Sequence, residues 1–365
     1  MKQVDVLRNY VSEANVQAGF ITTPDNVFYL SSFQSEPHER LLGIMVFPEE
    51  EPFLICPRME VPDAKAAGWP YEIVGYSDTE DAWTVLWESV RKRGIAPSSV
   101  AIEKSHLTVD RFERMQELFP NAEFKSLDGQ LNEMRVIKSE EELTNMRKAA
   151  ELADLAIHIG CEEIAEGKTE LEILMKVEYE MMKRGAEKMA FETMVLSGPK
   201  TASPHGKPGD RKIQQGDFIL FDLGVVYNGY CSDITRTVAF GEPTDEMRTI
   251  YETVRKAEQA AVEIVRPGIQ AKTVDQTARK IIEDAGYGDY FTHRIGHGLG
   301  ISIHEYPSVT DTNELVLREG MVFTIEPGIY VPGLAGVRIE DDVAVTADGV
   351  EVLTKFPKEL LVLRN

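Results

Sequence analysis

Apolar and polar positions along this chain fall into blocks whose period changes from one stretch to the next. Near the middle, Phe218-Ile-Leu-Phe-Asp222-Leu-Gly-Val-Val-Tyr-Asn228-Gly229-Tyr-Cys-Ser-Asp233-Ile-Thr-Arg-Thr237 sets apolar runs on either side of Asn228-Gly229. Asn-Gly between two such runs is the strongest short hairpin signal, because both residues accept the positive φ of a two-residue turn. A second strand–turn–strand pattern runs from Met321-Val-Phe-Thr-Ile-Glu326-Pro-Gly-Ile-Tyr330 through Pro332–Gly336 to Val337-Arg338-Ile-Glu340-Asp-Asp-Val. A pair of helical patterns precedes each hairpin. Ser139-Glu-Glu-Glu142 and Thr169-Glu-Leu-Glu172 are capping boxes. The first opens a helix whose apolar positions Leu143, Met146, Ala150, Ala153 and Ile157 recur three and four apart; the second helix has its stop at Gly185. Asp245–Val265, ended by Pro267-Gly268, and Thr273–Ala285, ended by Gly286, read as the other pair. The hairpins thus form a faint internal repeat.

Ahead of this region, residues 1–130 read as a small α/β domain. Gly19–Thr22, Val27–Leu30, Gly43–Phe47, Phe53–Cys56 and Val100–Ile102 have the apolar density of strands, and Asp81–Arg93 and Thr108–Leu118 the period of helices. This stretch holds His38 and His106 but no clustered ligand set, so chemistry is expected in residues 131–365, with Asp128–Lys138 as the junction.

The chain has 365 residues, 43% of them hydrophobic, enough for two packed domains. Its net charge of −22 argues against nucleic acid or an anionic membrane as partner, since both recruit basic surfaces. Cys56, Cys161 and Cys231 form no CxxC, which fits a reduced cytoplasmic protein. Cys231 reads as a packing residue and His158, inside a helix, as a packed or surface histidine. No run approaches the roughly 20 apolar residues of a membrane span, and the N-terminus lacks a signal-peptide core.

The hairpin geometry gives the acids meaning. A two-residue loop sets Tyr227 against Tyr230 and, counting on, Asp222 against Thr235. Asp233 then points to the same face as Asp222, a diagonal neighbour roughly 7–8 Å away at the backbone. Two carboxylates in so apolar a setting repel unless a proton or a cation lies between them. The second hairpin contributes Glu326 and Glu340, one on each arm. Between the hairpins lies His293-Arg-Ile-Gly-His297-Gly-Leu-Gly-Ile-Ser-Ile-His304-Glu305, with three of the chain's seven histidines. Its alternating Gly296, Gly298 and Gly300 leave room for close backbone approach. A glycine-rich loop with incidental histidines is the competing reading. Four carboxylates would nearly neutralise two divalent cations. Oxygen ligands with one imidazole favour Mn²⁺, Co²⁺, Fe²⁺ or Zn²⁺ at a reactive site over a thiolate structural zinc. Two such ions roughly 3.5–4 Å apart activate a shared water, which is hydrolase chemistry.

Together these motifs resemble the pita-bread metallopeptidases of the Xaa-Pro dipeptidase (prolidase) and Xaa-Pro aminopeptidase group, over essentially the whole chain. The resemblance implies a creatinase/prolidase-type N-terminal α/β domain, serving dimerisation or substrate gating. It also implies an α+β catalytic domain with pseudo-two-fold halves. Five metal ligands carry over as Asp222, Asp233, His297, Glu326 and Glu340, with Asp233 and Glu340 bridging two ions, Mn²⁺ first among them. His205, seventeen residues before Asp222, and His304 match substrate-contacting histidines, and Glu326 matches a proton shuttle. His293, Tyr330 and Arg338 match pocket positions; a salt bridge to a ligand carboxylate is the competing reading of Arg338, and core packing that of Tyr330. The implied reaction cleaves the bond before proline in dipeptides or short peptides, in a homodimer. A methionine-aminopeptidase-like exopeptidase and a catalytically inactive peptide-binding module on the same fold are the alternatives. Creatinase, which lacks the metal ligands, fits worse.

Overall fold

A computed structural model describes residues 2–364. The chain divides into two compact units, residues 1–135 and 136–365. The division falls at the end of a helix, Asp128–Val136, formed by the segment expected to be a junction.

The first unit is built on a six-stranded sheet. In spatial order its strands are Glu72–Tyr76, Phe53–Pro57, Gly43–Val46, Ala18–Ile21, Ser99–Ile102 and Glu123–Ser126. Both faces are buried. Ile44 and Val46 pack in one apolar cluster, Met45 and Phe47 in another. Alternation along a strand sends successive side chains to opposite faces, so a sheet covered on both sides reads as a continuous apolar run. The helices Ala82–Lys92 and Val109–Leu118 are capped by Asp81 and Thr108. Val27–Leu30 is a correction: it lies in the helix Pro24–Ser31, not in a strand. Thr23 followed by Pro24 starts a helix, and that local signal prevails over a short apolar run.

In the second unit both capping boxes form as expected, opening the helices Glu140–Glu163 and Glu170–Lys183. Asp245–Glu263 and Ala271–Asp284 are the second helical pair. The first hairpin pairs Asp217–Leu223 with Ile234–Phe240 in a four-stranded sheet. The second hairpin's Val322–Ile325 and Asp341–Val345 belong to a five-stranded sheet that also holds Gly296–Gly298. Phe218, Ile325 and Val337 share one apolar cluster with helix residues such as Val254 and Ala278; Phe221 and Ile234 share another with Ile157 and Val177. Each helical pair thus backs ligand-bearing strands, and the acids are held by rigid ladders.

Candidate metal centre

Asn228 and Gly229 adopt φ of 47° and 78°, the left-handed pair that a tight two-residue hairpin turn requires. Tyr227 faces Tyr230, and Asp222 faces Thr235, as the spacing demands. The ladder is interrupted between these points. Val225 N–H donates to the Ser232 hydroxyl at 3.1 Å, and Asp233 stands in the gap outside any strand. Register is kept across the gap, so Asp222 and Asp233 still line one cavity.

The second hairpin repeats the device. Ile325 pairs with Asp341 in one ladder and Gly328 with Arg338 in the next, leaving Glu326 and Glu340 at the interruption. A chain released from its ladder for one or two residues can turn a carboxylate inward without disturbing the sheet.

The hairpins join where the acids lie. Glu340 N–H donates to Thr235 O at 3.1 Å, and the Thr235 hydroxyl donates to Glu340 Oε2 at 2.6 Å. Asp233 N–H donates to Asp342 Oδ2 at 2.9 Å. Arg236, 1% exposed, donates to Glu340 O at 2.6 Å and to Asp341 Oδ1 at 2.7 Å.

His297 enters from a strand pressed against this junction. A Cβ on the neighbouring Gly296 would lie 1.9 Å from Thr324 O, so only glycine permits the approach. His297 Nδ1 lies 3.1 Å from Gly298 O. A carbonyl can only accept, so Nδ1 carries the proton and Nε2 offers its lone pair. That lone pair faces Asp233 Oδ2 and Glu326 Oε1, each at 3.6 Å. Burial pushes the imidazole down to about 3, so it is neutral.

The resulting cavity encloses about 390 Å³ and is lined by Asp222, Asp233, His297, Glu326 and Glu340, with His205, His293, His304 and Arg338. Ligand atoms of Asp233, His297 and Glu340 lie within 4.8 Å of one another. Burial raises the Asp233 and Glu340 carboxyls well above their ordinary range. For Asp233 the Glu340 charge adds most to that effect, and for Glu340 the Glu326 charge does. Asp233 Oδ1 is buried without a hydrogen-bond partner among the described residues. An orphaned carboxylate oxygen beside an imidazole lone pair is the signature of a missing electrophile, and this donor set fits a divalent cation.

His205 and His304 are exposed residues of the cavity wall; the His304 ring centroid is 4.0 Å from that of His297. His293 Nδ1 lies 2.8 Å from Arg294 O, so its Nε2 accepts from the Tyr330 hydroxyl, also at 2.8 Å. Arg338 donates to Tyr330 at 2.9 Å and to Asp222 Oδ2. Arg338 therefore makes the salt bridge weighed for it. Tyr330, 5% exposed and absent from the cavity lining, is hydrogen-bonded behind the site.

Sequence reasoning passed over two contributors, Arg236 and Asp342. Both had a visible signal, since each adjoins a singled-out acid or its partner: Thr235-Arg236 and Glu340-Asp-Asp342. Cys231 is buried, with its thiol 3.4 Å from Ile301 O, and His158 is exposed on its helix beside Glu162.

Two carboxylate-bearing hairpins closing on one neutral imidazole make this a divalent-metal protein. Residues 144–347 match metallopeptidase family M24, and residues 3–137 match the Creatinase/Prolidase N-terminal domain. The chain belongs to that metallopeptidase family and is a peptidase of the hydrolase class, with the expected pita-bread fold behind a creatinase-type α/β domain. YkvY of Bacillus subtilis (strain 168), provisionally named a dipeptidase, is 49% identical over 363 residues, covering 100% of both chains. The solved prolidase from Pyrococcus horikoshii OT3 is 39% identical with a TM-score of 0.92, covering 99% of this chain and 100% of that one. The Xaa-Pro dipeptidase from Bacillus anthracis is 35% identical with a TM-score of 0.92, covering 100% and 99%. No helix among the described residues is long and apolar enough to cross a membrane.

Proposed function

We propose that this chain hydrolyses the peptide bond preceding proline, in dipeptides and short peptides, at the cavity between its two hairpins. The observation that carries the reading is the convergence of Asp233, His297 and Glu340 within 4.8 Å. The names of the solved relatives, prolidase and Xaa-Pro dipeptidase, point to the same bond.

Asp222, Asp233, His297, Glu326 and Glu340 would hold two divalent ions, with Asp233 and Glu340 shared between them. Mn²⁺ suits this oxygen-rich set best; Co²⁺, Zn²⁺ and Fe²⁺ are compatible with it. When bound, the ions supply Lewis acidity toward the scissile carbonyl and an acidified water.

The remaining work falls to the chain. Glu326 takes the proton of the attacking water and delivers it to the departing proline nitrogen. Its carboxylate oxygen lies 3.6 Å from His297 Nε2 at the cavity wall, within the space where the attacking water and the leaving nitrogen would meet. His205 and His304 donate to the developing oxyanion and orient the peptide against it. Arg338, through Tyr330 and Asp222, keeps His293 and one ligand carboxylate in fixed orientation. Proline's missing N–H and bulky ring exclude its bonds from sites that grip a backbone amide.

We further propose a cytoplasmic homodimer, with the N-terminal unit serving dimerisation or gating. Three buried free cysteines support a reducing compartment, and light scattering reads the dimer.

The deciding experiment is Ala-Pro hydrolysis by the Mn²⁺-loaded protein. Release of alanine and proline is expected, lost on chelation and restored by Mn²⁺, with about two metal ions per chain by mass spectrometry. Metal-replete protein that leaves Ala-Pro intact overturns the proposal.

A further inference from the structure

Residues 291–295 lead from the second helical pair into the strand Gly296–Gly298 and belong to no helix or strand themselves. Buried backbone groups outside a ladder need other partners. Here one ion pair on the helix Ala271–Asp284 supplies them. Asp275, 0% exposed, and Arg279 meet twice, Nε to Oδ1 at 2.7 Å and Nη2 to Oδ2 at 3.1 Å. Asp275 Oδ2 also accepts the Ile295 N–H at 2.9 Å. Arg279 donates to Phe291 O at 3.2 Å and to His293 O at 3.0 Å. Its guanidinium carbon lies 4.3 Å from the centre of the Phe291 ring, and that ring packs T-shaped on His293 at 5.1 Å.

An acid and an arginine four residues apart ordinarily decorate a helix surface. This pair is turned inward, and what it grips leads straight to the site. The Ile295 carbonyl accepts the Glu326 N–H at 2.7 Å, so Asp275 reaches the backbone of Glu326 through one residue. His293, whose carbonyl Arg279 holds, accepts from Tyr330. His297, whose Nε2 faces Glu326, follows Ile295 by two positions. Neither Asp275 nor Arg279 lines the cavity, so the pair acts only through the residues it holds. We infer that Asp275 and Arg279 are positioning residues for hydrolysis. They fix the backbone from which His293, His297 and Glu326 are aimed. The guanidinium fork is essential to this role, because a lysine keeps the charge but cannot span Phe291 O and His293 O while holding both oxygens of Asp275. The inference rests on the metal-dependent hydrolysis proposed above.

The test uses the full-length protein with Arg279→Lys and with Asp275→Asn, which sets an NH₂ group against donors the carboxylate accepts. Ala278→Gly weakens the same helix without touching the pair and serves as the control. In the metal-free proteins, hydrogen exchange followed by mass spectrometry should quicken about tenfold at residues 291–297 and around Glu326 in both pair variants, and not in the control. With Co²⁺ bound, the visible absorption bands should shift in the pair variants alone. On Ala-Pro with Mn²⁺, their kcat should fall about tenfold while KM stays within about twofold, since His205 and His304 lie outside the held segment. Unchanged exchange at residues 291–297 overturns the inference. So does a control that reproduces the spectral shift and the loss of kcat, because the role would then be helix stability alone. Should Arg279→Lys not fold, Asp275→Asn, nearly identical in shape, carries the same comparison. Wild-type protein that leaves Ala-Pro intact while exchange and spectrum respond as expected removes the bond specificity and leaves the positioning role standing.

Discussion

Asp233 concentrates the chemistry of this protein into one side chain. It is buried, raised well above an ordinary carboxyl, flanked by an imidazole lone pair, and left with an oxygen that no described donor meets. Glu340 is its counterpart from the other hairpin, and the Thr235 hydroxyl fixes its orientation. Removing either carboxylate should therefore cost more than its own contacts. Asp233→Ala and Glu340→Ala are expected to lose metal, as measured by mass spectrometry, and to lower Ala-Pro hydrolysis at least about 100-fold. Cys231→Ser, two residues before Asp233 but with its thiol turned to Ile301 O, should keep both. Normal activity in metal-replete Asp233→Ala would refute the shared-ligand role.

At the scale of elements, the site depends on ladders that stop and restart. Asp233 in the first hairpin and Glu326 and Glu340 in the second sit where a ladder is interrupted, Asp222 stays within its ladder opposite Thr235, and the isolated pairing of Thr235 with Glu340 joins the two hairpins. The third strand reaches them only because residue 296 has no side chain. Gly296→Ala places a methyl against the Thr324 carbonyl, so the strand carrying His297 must shift. A loss of about 1–3 kcal/mol in stability is expected by denaturant unfolding, with metal affinity falling alongside. A variant of unchanged stability and metal content would show that the strand has slack. The same scale explains the Pro24–Ser31 helix. Four apolar residues are too few for periodicity to decide between strand and helix, and the Thr23-Pro24 start decides instead.

For the whole molecule, a second charged cluster lies behind the metal centre and ties distant parts of the chain together. Lys358 donates to Glu258 at 2.9 Å and to Asp341 at 2.6 Å, while Arg236 holds the other oxygen of Asp341. Burial, reinforced by Asp341, pushes the Glu258 carboxyl from its ordinary 4.5 up to about 8. The folded state then binds a proton that the unfolded state releases. The contribution of Glu258 is fully present below about pH 4.5 and is lost as pH rises toward 8. Glu258→Gln should remove that part of the dependence. Across pH 5–8 its melting temperature should fall less than that of the wild-type protein. Parallel curves would mean that Glu258 titrates as it does in the unfolded chain.

Much of this protein is legible in its sequence because the signals are local. Asn228-Gly229 specified a hairpin register that the ladder follows to Asp222 and Thr235. Both capping boxes opened helices where the spacing placed them. The ligand-type residues could be listed because acids and histidines in apolar, glycine-rich segments are unusual enough to demand an explanation. What remained hidden is non-local. Periodicity assigns a side chain to a face but does not say which faces meet, so the Thr235–Glu340 joint, the Arg236 clasp and the Asp342 acceptor required the folded chain. The Asp275–Arg279 pair is hidden for the same reason. An acid and an arginine four apart read as a surface pair on one more helix, and only packing decides that these two grip the segment leading to His297. The sequence by itself determined which groups would bind a cation and on what local frames they ride. The tertiary structure alone decided that those groups converge, because convergence depends on contacts between residues more than a hundred positions apart.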